Sequence, residues 1–161
     1  MAAQHKFLPI AVAVALLCGT AAAQGAKPAS TPATPLVADS QAVAGLRKRA
    51  EAAEGGDRAK LFAEVARLEV EEANSKFNGG DADAAQAEVA RATQDAQQAT
   101  QSSLNTHKRM KQTQMSLHEL SRRLDGIEHS VSAEDRPPLR KAVEKVQAMA
   151  TELLEAMFKR K

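Results

Sequence analysis

The chain has 161 residues, a formal net charge of +2, one cysteine, and neither tryptophan nor tyrosine. A chain of this length accommodates one domain and leaves little room for two. A single cysteine allows no internal disulfide, so packing must provide the stability. The chain has no Gly-x-Ser-x-Gly, no His-Glu-x-x-His and no phosphate-binding loop. We therefore predict a protein that is not an enzyme and carries no cofactor.

The first 23 residues have the three parts of a secretory signal peptide. Lys6 provides the positive start, residues 7–18 are apolar, and residues 21–23 are alanines that fit a cleavage site. The apolar run is too short to span a bilayer comfortably. We therefore predict a bacterial exported protein, periplasmic or secreted, which is cleaved after about Ala23 and keeps no membrane span.

A linker and a helical region follow. Residues 24–38 are rich in Pro, Ala and Thr and bury too little apolar surface to fold, which predicts a flexible linker. From residue 39 to residue 161 helix-forming residues dominate, and we predict a single helical domain. Two Gly-Gly-Asp motifs, at 55–57 and 79–81, suit helix ends followed by capping aspartates. The predicted helices span about 40–54, 58–78, 82–131 and 136–161.

A heptad pattern runs without interruption through the third predicted helix. Small or apolar residues recur every seven positions, and a second series follows three residues later, as in the seam of a coiled coil. These a and d positions are Ala82, Ala85, Val89, Ala92, Ala96, Ala99, Ser103, Thr106, Met110, Thr113, Leu117, Leu120, Leu124, Ile127 and Val131. Because a break would normally reset the register, we predict an all-α, coiled-coil-like bundle of antiparallel helical hairpins, built on one long central helix over about 82–131. The alternative is a break near 102–106, which gives a compact four-helix bundle.

A long central helix would leave part of this seam uncovered by the rest of the chain. The uncovered part would lie between Ser103 and Met110. A protein partner, or a second copy of the chain in a homodimer, would cover it. We therefore interpret the chain as a structural or protein-interaction module of the bacterial envelope.

Two His–Met pairs suggest an alternative function. His107 and Met110, and likewise Met115 and His118, lie three residues apart and so share a helix face. Imidazole and thioether together suit Cu(I) or a similar soft ion. The pattern is similar to the His-x-x-Met and Met-x-x-His repeats of periplasmic silver- and copper-binding proteins, and this resemblance implies a soft-metal-binding or envelope stress protein. Basic residues at 108, 109 and 111 repel a cation, however, and we predict no metal site here.

The charge is unevenly distributed. Residues 24–105 contain nine basic and twelve acidic side chains, whereas residues 106–161 contain twelve basic and eight acidic ones. The basic half indicates a further alternative, binding to an anionic surface such as lipid or cell-wall polymer. The scarcity of aromatic residues argues against nucleic acid. The basic surface would be formed by Lys108, Arg109, Lys111, Arg122, Arg123, Arg140, Lys141 and Lys145.

Overall fold

The computed structural model describes residues 40–159, and this part of the chain contains five α-helices and no strand. The predicted all-α class is therefore confirmed. None of these helices is both long and apolar enough to cross a bilayer. The predicted signal peptide and the predicted linker lie outside the described residues. The helices are α1 (Ser40–Ala52), α2 (Gly55–Asn78), α3 (Ala82–Thr106), α4 (Met110–Ser130) and α5 (Arg136–Phe158).

The second Gly-Gly-Asp motif forms the turn between α2 and α3, as predicted. Gly80 has a φ of +80°, a left-handed conformation that glycine adopts without steric cost. Asp81 is the N-cap of α3, and its side chain accepts a hydrogen bond from the Ala84 N–H at 3.1 Å. The first motif differs from the prediction, because Gly55 already begins α2 and Asp57 lies in the first helical turn instead of capping it.

Helices α2 to α5 form two antiparallel hairpins, α2–α3 and α4–α5, which pack side by side. Both pairings agree with the antiparallel helical hairpins predicted from the sequence. Two ion pairs join the hairpins: Arg109 contacts Asp57, and Arg123 contacts Glu71, each across 52 residues. The constant separation means that α2 and α4 run parallel to each other.

The predicted continuous helix over about 82–131 is wrong. The chain reverses between α3 and α4, where His107 and Arg109 have φ values of 55° and 57°. A right-handed helix cannot continue through left-handed residues, so both helices end there. The reversal follows directly after the segment 102–106, where the alternative placed the break, but the described residues form five helices and not four.

The heptad seam nevertheless identifies the buried face of both helices. Every a or d residue between Ala85 and Ile127 is buried, with the exception of Thr106. The turn at 107–109 occupies the e, f and g positions between the d residue Thr106 and the a residue Met110. Those positions need not be apolar. The reversal therefore leaves the register undisturbed, which is why the register did not reveal it.

The part of the seam that was expected to be uncovered belongs to the core. Ser103 is fully buried, and its hydroxyl shares a 2.7 Å hydrogen bond with the hydroxyl of Thr113 on α4. Met110 is buried in the main apolar cluster. Buried hydroxyls are compatible with a core when they bond each other. The small and polar middle of the seam therefore joins α3 to α4. The expectation that the rest of the chain leaves this part uncovered is wrong.

Candidate functional site

The outer face of α4 carries a row of exposed side chains opposite the core. Lys111, Met115, His118 and Arg122 follow each other at intervals of four, three and four residues, and all four are exposed. Side chains at this spacing project from one side of a helix. The row spans about 16 Å at 1.5 Å per residue. We call these four residues the α4 stripe.

The charged members of the α4 stripe have no counter-ion within the described part of the chain. Neither Lys111 nor Arg122 forms an ion pair there, and the His118 imidazole makes no hydrogen bond. The adjacent Arg123, by contrast, is bound by Glu71 of α2 at 2.7 Å. The difference arises because Arg123 points toward α2, whereas Arg122, the preceding residue, lies on another side of the helix and faces solvent.

Internal ion pairs divide the predicted basic surface in two. Arg109 pairs with Asp57 at 3.1 Å, and Arg140 pairs with Glu128 at 2.8 Å. These arginines and Arg123 therefore connect helices of the bundle. Among residues 40–159, the members of the predicted set without an ion pair are Lys108, Lys111, Arg122, Lys141 and Lys145.

Met115 gives the α4 stripe an apolar centre. Its side chain is 60% exposed, and no other large apolar residue of α4 is exposed. Methionine is unbranched and polarisable, so that it adapts to different partner surfaces. Methionine and arginine are also enriched at protein–protein interfaces, where lysine is less common.

Only one of the two predicted His–Met pairs lies together on the surface. Met110 is buried in the core, while His107 is exposed at the C-terminal end of α3, so the Met110 thioether is not available beside it. Met115 and His118 do share the exposed face, but the cationic ends of the α4 stripe flank them. Within residues 40–159, no three histidine, cysteine or carboxylate side chains are grouped to hold a metal ion.

A groove between α2 and α4 is the second surface feature. Its volume is about 130 Å³, below the 300–1,000 Å³ that is usual for small-molecule sites. Its arginines are already bound within the fold: Arg67 pairs with Glu64 at 2.6 Å, and Arg109 and Arg123 pair with α2 as described above. The arginines that line the groove therefore belong to an ion-pair network between the hairpins.

A buried charged cluster lies beneath α1. Glu69 of α2 and Asp95 of α3 are 1% and 5% exposed. Arg47 of α1 donates to Asp95 Oδ2 at 2.7 Å and also to Glu69 Oε1, while Glu69 Oε2 has no hydrogen-bond partner among residues 40–159. Burial, and then the charge of Asp95, raise the pKa of Glu69 to about 8 against the opposing charge of Arg47. A proton on Glu69 thus balances one cation against two carboxylates near neutral pH.

This cluster was not predicted from the sequence, although a signal was present. Val65, Glu69 and Ala73 lie four residues apart and so share one helix face, and both neighbours of Glu69 in this series are buried. That spacing marks Glu69 as an inward-facing carboxylate. Its partner Arg47 is 22 residues away in the chain, and no local pattern indicates it.

Comparisons of the chain with protein-family models, with curated proteins and with solved structures found no match. The class is therefore defined by the structure itself, an all-α helical bundle with an exposed basic face.

Proposed function

We propose that the chain is a non-enzymatic, exported helical interaction module of the bacterial envelope, and that it binds a protein partner through the α4 stripe. The observation that carries this proposal is the contrast along α4. Arg123 is paired with Glu71 of α2, whereas Lys111 and Arg122 are exposed on either side of Met115 and have no counter-ion among residues 40–159. Met115 and Arg122 are residue types that are enriched at protein–protein interfaces.

The α4 stripe is free to bind because the core does not depend on it. Helix α4 is held in the bundle by its opposite face, where Leu117, Leu120 and Leu124 are buried. A partner can therefore contact the stripe without rearranging the bundle, as in most complexes of pre-organised proteins. For the same reason, substitutions in the stripe should leave the fold intact, which makes the proposal testable by mutation.

Site-specific photocrosslinking tests the interaction. The full chain, with a photoreactive amino acid in place of Met115, is produced in its own bacterium and irradiated in whole cells. We expect a crosslink to another protein from position 115. Thr151 is the matched control, since it is an exposed position on α5. Equal crosslinking from both positions, or none from position 115, contradicts the proposal.

Export is tested separately by cell fractionation and N-terminal sequencing. We expect a mature chain that begins near Gln24 and is recovered from the periplasm or the medium. A cytoplasmic chain that retains its first 23 residues contradicts export. Export and partner binding are thus decided by independent measurements.

A second copy of the chain is the other candidate partner. Leu154 and Phe158 are 41% and 63% exposed, and they lie four residues apart on α5, so that they form an exposed apolar pair. If this pair mediates self-association, light scattering should show a dimer for the full chain and a monomer for Phe158→Ser. A monomer at every concentration of the unchanged chain contradicts self-association.

A further inference from the structure

We infer that the partner presents an acidic helix to the α4 stripe, with carboxylates on both sides of an apolar residue. This inference rests on the proposed function and adds the chemistry of the partner. Lys111 lies one helical turn before Met115, whereas His118 and Arg122 follow one and two turns after it. A helix repeats its face every three to four residues, so a second helix can match this order of cation, apolar residue and cation.

The charges of the α4 stripe require a partner of opposite sign. Lys111 and Arg122 have no counter-ion among the described residues, and a neutral partner that covered them would remove their water without compensation. Carboxylates opposite them would supply that compensation, steer the encounter and exclude basic partners. Contact with Met115 at the centre would add the apolar burial that surface ion pairs lack.

The residues beside the α4 stripe favour a helix over a flat anionic membrane. Glu119 lies next to the stripe and Asp125 continues it one turn after Arg122, and both acidic residues are exposed. A plane of lipid phosphates that reached Arg122 would also press against these carboxylates. Helices that lie on membranes bury a row of apolar residues, whereas Met115 is the one large apolar residue that α4 exposes. A partner helix, about 10 Å wide, can contact the stripe and leave both carboxylates in water.

Binding of a designed peptide tests the chemistry. The probe is a fluorescent helical peptide with Glu on both sides of a central Leu, and a second peptide replaces each Glu by Gln. We expect the full chain to bind the Glu peptide about tenfold more tightly than the Gln peptide at low salt, and to lose this preference at high salt. Equal affinity for the two peptides overturns the inference.

Matched variants locate the binding site. Lys111→Gln with Arg122→Gln should weaken binding of the Glu peptide about tenfold, and Met115→Ser should weaken it severalfold. The control is Lys141→Gln with Lys145→Gln, which makes the same change of charge on α5 and should alter affinity less than twofold. An equal effect of both double variants overturns the inference, because it indicates attraction to net charge. Circular dichroism verifies that each variant keeps its helices.

The same proteins are sedimented with vesicles of phosphatidylglycerol and phosphatidylethanolamine. We expect no sedimentation that depends on Lys111 and Arg122. Vesicle binding that these substitutions abolish, together with equal peptide affinities, assigns the stripe to a membrane and overturns the acidic helix.

The natural partner provides a test that separates the inference from the proposed function. Mass spectrometry of the crosslink from position 115 identifies the partner segment that touches the α4 stripe. We expect a segment with a net negative charge and carboxylates three or four residues from an apolar residue. A neutral or basic segment overturns the inference and leaves the proposed function standing. A failure of the proposed function is recognised instead by the absence of any crosslink specific to position 115.

Discussion

The α2–α3 hairpin and the α4–α5 hairpin bury different kinds of side chain. Alanine is the commonest buried apolar residue of the first hairpin, which also buries three carboxylates, those of Glu69, Glu88 and Asp95. The second hairpin buries larger apolar residues and a single carboxylate, that of Glu128. The fully buried apolar residues of α2–α3 include Ala66, Ala73, Ala92, Ala96 and Ala99. Those of α4–α5 include Leu124, Leu139, Val146 and Leu153.

The comparison shows that two antiparallel hairpins can reach a stable interface by different routes. Alanine lets the backbones approach closely but removes little apolar surface from water. The α2–α3 hairpin therefore depends on whether its buried carboxylates are paired, as Glu88 is by Lys76 of α2 and by Arg91. The α4–α5 hairpin depends on filled apolar volume.

Removal of apolar volume from the α4–α5 hairpin should have the largest effect. We expect Leu124→Ala to lower the free energy of unfolding by about 3 kcal/mol, because it removes a fully buried side chain and leaves a cavity. Urea denaturation followed by circular dichroism measures the change. The control Leu154→Ala removes a partly exposed leucine of α5 and should cost well under half as much. Equal losses in the two variants contradict an apolar origin of stability in this hairpin.

Removal of Arg47, the half-buried cation that α1 places against the α2–α3 hairpin, should be nearly as costly. We expect Arg47→Met to lower the free energy of unfolding by about 2–3 kcal/mol, because it leaves Glu69 and Asp95 without a cation. In a chain that already carries Glu69→Gln and Asp95→Asn, the same substitution should cost less than about 1 kcal/mol, since neither partner of Arg47 then carries a charge. If Arg47→Met is equally costly in both backgrounds, the role of Arg47 is packing and the comparison fails.

The same cluster should make the stability depend on pH. Glu69 keeps its proton in the folded chain up to about pH 8, whereas the unfolded chain releases that proton near its ordinary pKa of 4.5. The folded state therefore binds more protons between these values, and the free energy of unfolding falls as the pH rises from about 4.5 to 8.

We expect Glu69→Gln to remove most of this slope in thermal denaturation measured between pH 5 and pH 8. Glu152→Gln, which changes an exposed carboxylate on α5, should keep the slope of the unchanged chain. A slope that survives Glu69→Gln assigns the pH dependence to other groups.

The smallest effect is expected in the turn that connects the two hairpins. His107 has a left-handed backbone, which costs a residue with a side chain about 1–2 kcal/mol. Glycine avoids this steric cost but loses more conformational entropy when the chain folds. We therefore expect His107→Gly to stabilise the chain by about 0.5–1 kcal/mol. Lys108→Gly is the matched control, because Lys108 is not left-handed and glycine there brings only the entropic cost. Stabilisation by both substitutions contradicts strain at His107.

Much of the fold could be predicted from local patterns. The all-α class, the turn between α2 and α3 with its cap at Asp81, and the buried faces of α3 and α4 all follow from composition, Gly-Asp chemistry and heptad spacing. The interaction surface was predicted only in part. Lys111 and Arg122 belonged to the basic set and Met115 and His118 to the metal candidates, but no pattern indicated that the four residues form one exposed stripe, whose cations find no counter-ion in the described part of the chain.

The buried face of each helix could be inferred from the chain alone, because apolar periodicity is a local property. The folded structure was needed to locate the reversal of the chain, since the left-handed residues His107 and Arg109 stand where neither glycine nor proline signals a turn. It also decided which of two adjacent arginines is neutralised. Arg123 meets Glu71 across 52 residues, and Arg122 meets no acidic side chain within the described range, because a charge is paired only by what another helix brings next to it.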